Sequence, residues 1–250
     1  GYVDMIMTGF GAGVYSGEPD IACSAIGSTG VHMMAKHASD VTLGTDHTGY
    51  VLCIPHEDFV AQSQTNMAAT LNIDWILALA ADLIGEFGPQ PSHAELIDRL
   101  DGWLENSQPA SLIYHPYISD AGERGPFVDP NARASFVGLS ANHRFPDLVR
   151  AIVEGLGMAA RDCYWTMGAR PRELRITGGA ARSAALRKTL SAAINAPIRV
   201  SAREEAGAAG CAMMAAVAIG AYPSMDACIE EWVTPLLGDA EAPDPDLIKL

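Results

Sequence analysis

Residues 173–200 read ELRITGGAARSAALRKTLSAAINAPIRV, and they set the frame for the rest of the chain. Glu173 to Ile176 and Pro197 to Val200 are short runs with β-branched residues and read as strands. Between them, Arg182 to Ile194 reads as a helix. Gly178 and Gly179 sit at the strand-to-helix junction. Glycine there lets a ligand lie against the backbone, next to a helix end with free N–H groups. A tight turn explains a bare Gly-Gly pair as well.

Downstream, Arg203 to Ile219 extends the alternation with another helix, for which Ser201 and Glu204 form a capping box and Gly220 and Pro223 a stop. The uncharged stretch Ala206 to Tyr222 falls short of the roughly 20 apolar residues a bilayer span needs, so it reads as a buried helix. Residues 237–250 form an acidic tail that is expected to be mobile or loosely docked. Upstream, Pro146 to Met167 carries an apolar face through Leu148, Val149, Ile152, Leu156, Ala159, Ala160, Cys163 and Met167, with Pro in the first turn. Residues 107–144 are rich in turn residues, with a short strand at Ser111 to His115. Earlier still, Ser92 to Asn106 reads as a short helix, and Met67 to Phe87 as a longer one on which Leu71, Trp75, Leu79 and Leu83 repeat every four residues. Ile21 to Ile26, Val31 to Ala35 and Tyr50 to Ile54 read as three strands separated by glycines. Trp75, Trp103 and Trp165 fall on these helices, and they and Trp232 stand at positions read as helical and compatible with burial. This is an α/β order with strands in both orientations.

Composition narrows the function. The chain has 250 residues, 49% of them hydrophobic, enough for a large core. Thirty acidic residues against sixteen basic ones give a formal charge of -14, which repels nucleic acid and anionic membrane surfaces. ATP is not excluded, because backbone N–H groups can hold it in a local cleft. Five widely spaced cysteines without a CxxC pair fit a reducing cytoplasm. Seven histidines show no paired ligand spacing, so no zinc site is expected. The opening Gly1-Tyr2-Val3-Asp4 has neither an initiator Met nor a signal-peptide pattern and reads as a cut inside a longer chain.

Two further segments can carry chemistry. Gly27-Ser28-Thr29-Gly30 joins two strands, and its amides can cradle a phosphate or close an ordinary hairpin. Asp4 precedes a segment with glycines at 9, 11 and 13, where a carboxylate can take a proton from a substrate hydroxyl or cap a helix. The glycines are not a dinucleotide fingerprint, since Val14 stands where the third would fall.

Taken in order, these segments resemble the FGGY carbohydrate kinases from Gly1 to about Val233. Gly1-Tyr2-Val3-Asp4 with Gly11 looks like the Gly-x-x-Asp element that opens the family's second lobe. Ile26-Gly27-Ser28-Thr29-Gly30 is similar to its phosphate loop, with the two hydroxyl residues exchanged. Pro116-Tyr117, Gly122-Glu123-Arg124, Pro126, Arg133, Phe136 and Gly138 echo its longest signature. Arg150-Ala151 with Glu154-Gly155, Thr177-Gly178-Gly179-Ala180 with Ser183, and the helix Glu205 to Ala212 complete the likeness. Ser119 to Pro126 is nearest to erythritol-type kinases, with xylulose and ribulose kinases as neighbours.

The resemblance implies a ribonuclease H-like lobe of the actin and hexokinase ATPase type, a mixed sheet flanked by helices with a helical insertion, over residues 1–236. It implies Asp4 as catalytic base; Gly27, Ser28, Thr29, Gly30, Gly178, Gly179 and Ser183 at ATP; Mg2+ as the metal; and a small sugar or polyol as acceptor. The family's Asp-x-Gly-Thr element is absent from the sequence, so a partner N-terminal lobe is implied, and the isolated chain is expected to bind ATP weakly and to phosphorylate nothing. A homodimer is compatible with this reading. The alternative is a non-catalytic nucleotide-binding or assembly module of the actin-like superfamily.

Overall fold

The computed structural model describes residues 2–15 and 20–250, so Gly1 of the opening element lies outside the described residues. Strands β1 (Ile21–Ile26), β2 (Gly30–His37), β3 (Tyr50–Cys53), β4 (Phe59–Asn66), β7 (Glu173–Thr177) and β8 (Ile198–Val200) form one mixed sheet in the order β3-β4-β2-β1-β7-β8. β1 runs antiparallel to β2 and parallel to β7, and β7 runs parallel to β8. A two-stranded ribbon pairs β5 (Ile113–His115) with β6 (Ser135–Val137).

Alternate residues of the central strands point into two different cores. On one side Ala22, Ile26 and Met34 pack with α2 (Thr70–Gly85), α4 (Leu100–Glu105), α5 (Phe145–Thr166) and α6 (Ala184–Ile194). On the other, Cys23 and Met33 face α1 (Asp4–Gly11), and α1 packs with α7 (Ala206–Ala218) and α8 (Met225–Trp232) around Phe10, Met213 and Val233. The α1–α7 contact is unusually close: a Cβ at Gly11 would overlap the Ala206 carbonyl, and one at Gly210 the Met7 carbonyl. Small side chains at those positions let the two backbones meet.

The structure departs from the sequence reading at several elements. The first third has four strands, not three. β4 carries Gln62, Ser63, Gln64 and Asn66 in the sheet interior, and a search for apolar runs passes over it. Its amide nitrogens make long-range bonds, Gln62 Nε2 to the Thr42 carbonyl at 2.6 Å and Gln64 Nε2 to the Thr48 carbonyl at 3.0 Å, while the buried Oε1 atoms of both side chains have no hydrogen-bond partner among the described residues.

The long helix starts at Thr70, and its four-residue repeat faces outward: Leu71, Trp75, Leu79 and Leu83 are exposed, while Ile73, Ile76, Leu77 and Ala81 are buried. A helix apolar on nearly every side gives no sequence signal for which face is inside. The expected helix from Ser92 to Asn106 is interrupted at Asp98 and Arg99, giving α3 (His93–Ile97) and α4. α7 begins at Ala206 with no side-chain cap; the Ser201 hydroxyl instead accepts the Arg203 N–H at 3.1 Å, a local turn in place of the expected capping box. Only one face of α7 is buried, through Ala206, Ala209, Gly210 and Met213, so it is not the fully buried helix that its composition suggests.

Trp75 and Trp165 are exposed rather than buried, Trp165 lying beneath the guanidinium groups of Arg161 and Arg170. The C-terminal segment, expected to be mobile or loosely docked, is held against the lobe. Glu241 takes two bonds from Arg187 Nε and exchanges backbone bonds with Ile198, while Lys188 pairs with Asp244 at 2.8 Å beside α9 (Pro245–Ile248).

Candidate functional site

Asp4 is the first residue of α1, after Val3 at the N-cap, and its Oδ1 accepts the Met5 N–H at 2.8 Å. A carboxylate in a helix's first turn is favoured by the unpaired N–H groups there. The side chain is exposed and lines a cavity of about 280 Å³ with Thr8, Gly27, Thr29 and Gly178. Three segments far apart in sequence thus meet at one place.

The turn at 27–30 is the β1–β2 hairpin. Its carbonyls at Gly27 and Ser28 accept the N–H groups of Thr70 and Ala69 at 2.9 and 2.7 Å, which ties the hairpin to the start of α2. Ser28 is exposed and Gly30 is buried, with a would-be Cβ 3.1 Å from His32 Nε2. Thr29, not Ser28, lines the cavity with Asp4.

Gly178 and Gly179 differ from one another. Gly178 has φ 88°, and a Cβ there would lie 2.5 Å from the Ile26 carbonyl, so backbone conformation and the crossing of β1 both require glycine. At Gly179 nothing lies within 4 Å of a would-be Cβ, and the same is true of Gly27. Gly178 also lines a second cavity, of about 460 Å³, with Gly179, Ser201 and Glu205. Gly179 in turn borders a third, of about 650 Å³, with Thr70, Asp74, His93, Asp101 and Ser183. The three cavities adjoin at the glycine turn, the first and second sharing Gly178 and the second and third sharing Gly179, and so line a groove from Asp4 to α2–α4.

Ser183 lines the far end of this groove, but its hydroxyl is already engaged. It donates to Asp101 Oδ1 at 2.5 Å and accepts the Leu186 N–H at 3.1 Å as N-cap of α6. Asp101 also accepts from Ala184 and Ala185 N–H, so a residue 82 positions away completes the cap. The sequence carries no local signal for that partnership.

The groove rests on a buried polar network that sequence reasoning did not assign. Asn66 Nδ2 donates to the Gly125 carbonyl at 3.2 Å, so its Oδ1 accepts from His32 Nε2 at 2.9 Å. His32 Nδ1 therefore accepts the Ser24 hydroxyl at 2.8 Å, and Tyr164 OH completes the chain on Ser24 and the Cys23 carbonyl. Burial pushes the His32 imidazole down to about 4, so the ring is neutral at pH 7. Glu123, almost fully buried, accepts the N–H groups of Met67, Arg124 and Gly125 at 3.0, 2.9 and 3.4 Å. Burial raises its pKa and these three bonds oppose the rise. Through Met67 it anchors the segment whose Ala69 and Thr70 hold the Gly27–Gly30 hairpin. The Gly-Glu-Arg string was visible in the sequence; its contact across 56 positions was not.

A family model described as the FGGY family of carbohydrate kinases, C-terminal domain, matches residues 22–219. The chain belongs to the FGGY carbohydrate kinases. Asp4 lies ahead of the matched segment. Over 244 residues the chain is 66% identical to erythritol kinase of Brucella abortus (strain 2308), covering 98% of this chain and 47% of that protein. Xylulose kinase of Staphylococcus epidermidis is 26% identical over 236 residues, 88% of this chain and 45% of the relative. Among solved structures, ligand-bound xylulose kinase from Lactobacillus acidophilus superposes with a TM-score of 0.81 at 19% identity, over 98% of this chain and 46% of that one, which shows the shared fold. The chain thus spans about half the length of the relatives it matches.

The open space at Gly27 and Gly179 leaves room for a phosphate-bearing ligand pressed against the backbone. Mg2+ fits less well. No group of three or more His, Cys, Asp or Glu able to hold a metal occurs among the described residues, and Asp4 is the only carboxylate lining the cavity at the hairpin. The ion is not assigned to side chains of this lobe.

Proposed function

We infer that this chain is the nucleotide-holding second lobe of an ATP-dependent kinase of a small sugar or polyol, of the erythritol type. The convergence of Asp4, Thr29 and Gly178 on one cavity carries the reading, and the 66% identity to an erythritol kinase supports the polyol class. In this reading the triphosphate lies along the hairpin Gly27–Gly30, and the nucleoside passes over Gly178 and Gly179 toward Ser183. Asp4 orients the acceptor hydroxyl and takes its proton as the oxygen attacks the terminal phosphorus. The hairpin supplies backbone N–H groups to the charge that develops on the transferred phosphoryl group. Ser183 acts through backbone placement, since its hydroxyl is committed to Asp101.

The first lobe is the other half of the relatives' length. It supplies the groups that grip the acceptor and closes the cleft against water, a competing acceptor for the phosphoryl group. The outer face of α7, where Ala208, Cys211, Ala212 and Ala215 are exposed, is smooth enough to receive it. The free cysteines and the lack of any helix long and apolar enough to cross a membrane, among the described residues, support a cytoplasmic setting.

The test is to join this lobe to its first lobe and follow ADP release with ATP and a panel of sugars and polyols. Release that depends on a four- or five-carbon acceptor, and that falls about 10²- to 10⁴-fold in Asp4→Asn, is the expected result. ATPase activity indifferent to every acceptor, or full turnover in Asp4→Asn, contradicts the reading. The isolated lobe is expected to release no acceptor-dependent ADP.

A further inference from the structure

Among the described residues, every cation that lines the groove already has a partner, save one. The basic side chains on the two cavities that share Gly179 are Arg182, Arg187, Arg203 and His93. Arg187 is taken up by Glu241 and the Ala181 carbonyl, Arg203 by the Trp232 carbonyl at 2.6 Å, and His93 by Asp74 at 2.9 Å. The exposed side chain of Arg182 makes no hydrogen bond or ion pair among the described residues.

Arg182 also stands where the fold gains nothing from a positive charge. It closes the short 3-10 turn Gly179–Arg182 and directly precedes Ser183, the N-cap of α6. The N-terminal end of a helix carries partial positive charge and favours acids, and Asp101 supplies one there by accepting the N–H groups of Ala184 and Ala185. A guanidinium beside that end is opposed by the dipole, so folding does not account for it.

We propose that Arg182 binds the nucleotide by pairing its guanidinium with the phosphate nearest the ribose, as the chain of phosphates crosses Gly179.

The proposal rests on the nucleotide reading above and adds a contact to it. Arg182 lines both the cavity of about 460 Å³ and the cavity of about 650 Å³, so a ligand passing from one to the other over Gly179 passes this residue. Electrostatics call for a cation at that step. Asp4, Asp74, Asp98, Asp101, Glu204 and Glu205 line the three cavities, and no basic residue lines the one at the hairpin. A phosphate in that field is repelled from several sides, and the N–H groups of a glycine turn answer with partial charges alone. A planar guanidinium presents two parallel donors to two oxygens of one phosphate, which an ammonium does not. The nucleoside beyond is neutral, and its hydroxyl and amino groups can donate to carboxylates, which only accept.

Acceptor-dependent ADP release by the two-lobed protein tests this, through the KM for ATP and the inhibition constants of AMP and adenosine against ATP. In Arg182→Gln the KM for ATP and the inhibition constant of AMP are expected to rise about 10- to 100-fold, the worth of a charge-assisted pair, while the constant for adenosine stays within about twofold. Arg182→Lys keeps the charge without the fork and is expected to fall between parent and Arg182→Gln. The gap between parent and Arg182→Gln is expected to narrow with added salt. The melting temperature of Arg182→Gln is expected to equal or exceed the parent's, since the guanidinium holds nothing in the fold. An unmoved KM for ATP overturns the proposal and leaves the nucleotide reading standing. So does adenosine weakened as much as AMP, which would put the guanidinium on the base. A parent that releases no acceptor-dependent ADP sinks the nucleotide reading, and the proposal with it.

Discussion

Gly11 and Gly210 at the α1–α7 crossing and Gly27 and Gly179 at the groove are the same residue in opposite circumstances. At the crossing, a single added carbon runs into backbone of the facing helix. At the groove, the same carbon meets nothing within 4 Å. Packing therefore explains the first pair. It does not explain the second, where room has been kept that the lobe itself leaves unfilled. A glycine's meaning lies in what surrounds it, and only the folded chain shows that.

The largest effect should come from filling the crossing. Gly210→Val, which must push aside the Met7 carbonyl, is expected to destabilise the lobe by about 3–5 kcal/mol in urea unfolding. A loss below about 1 kcal/mol would mean that α1 and α7 are not held so closely.

A smaller effect should follow from the network beneath the hairpin. His32 stays neutral in the fold down to about pH 4, whereas in the unfolded chain it protonates near its ordinary value of 6.5. Below pH 6.5 the unfolded state binds the extra proton, so stability is lost as pH falls from 6.5 toward 4 and is fully present above that window. Between pH 7.5 and 4.5 the parent is expected to lose about 2 kcal/mol more than His32→Gln. Equal pH dependence in the two proteins would show that the ring does not titrate on unfolding.

The smallest effect on stability belongs to the groove. Gly27→Ala and Gly179→Ala are each expected to shift unfolding by no more than about 1 kcal/mol, because neither position has a positive φ or a crowded Cβ. A large loss at either position would erase the contrast with the crossing.

The legible parts of the fold were those whose signal is local. The strand, glycine turn and helix at 173–194, the hairpin around Gly27–Gly30 and the apolar face of α5 each announce themselves within a few residues. At α1 the sequence left a helix capped by Asp4 as one of two options; the glycines at 9 and 11 do not break it, because a helix that must approach another closely tolerates glycine where an exposed one does not. β4 and the inner face of α2 were illegible for the same reason: buried Gln and Asn, and outward-facing Leu and Trp, invert the usual sorting. At the site, the segments were readable one by one. What could not be read was the long-range chemistry, Ser183 captured by Asp101 and Met67 held by Glu123, since no periodicity encodes a contact across 82 or 56 positions.

The central claim is that the space left at the glycine groove belongs to a nucleotide. Titration calorimetry with ATP on the two-lobed protein, comparing the parent with Gly179→Val, tests it most directly, with melting temperatures measured alongside. The account predicts at least tenfold weaker ATP binding in the variant at an almost unchanged melting temperature; equal affinity in the two proteins would contradict it.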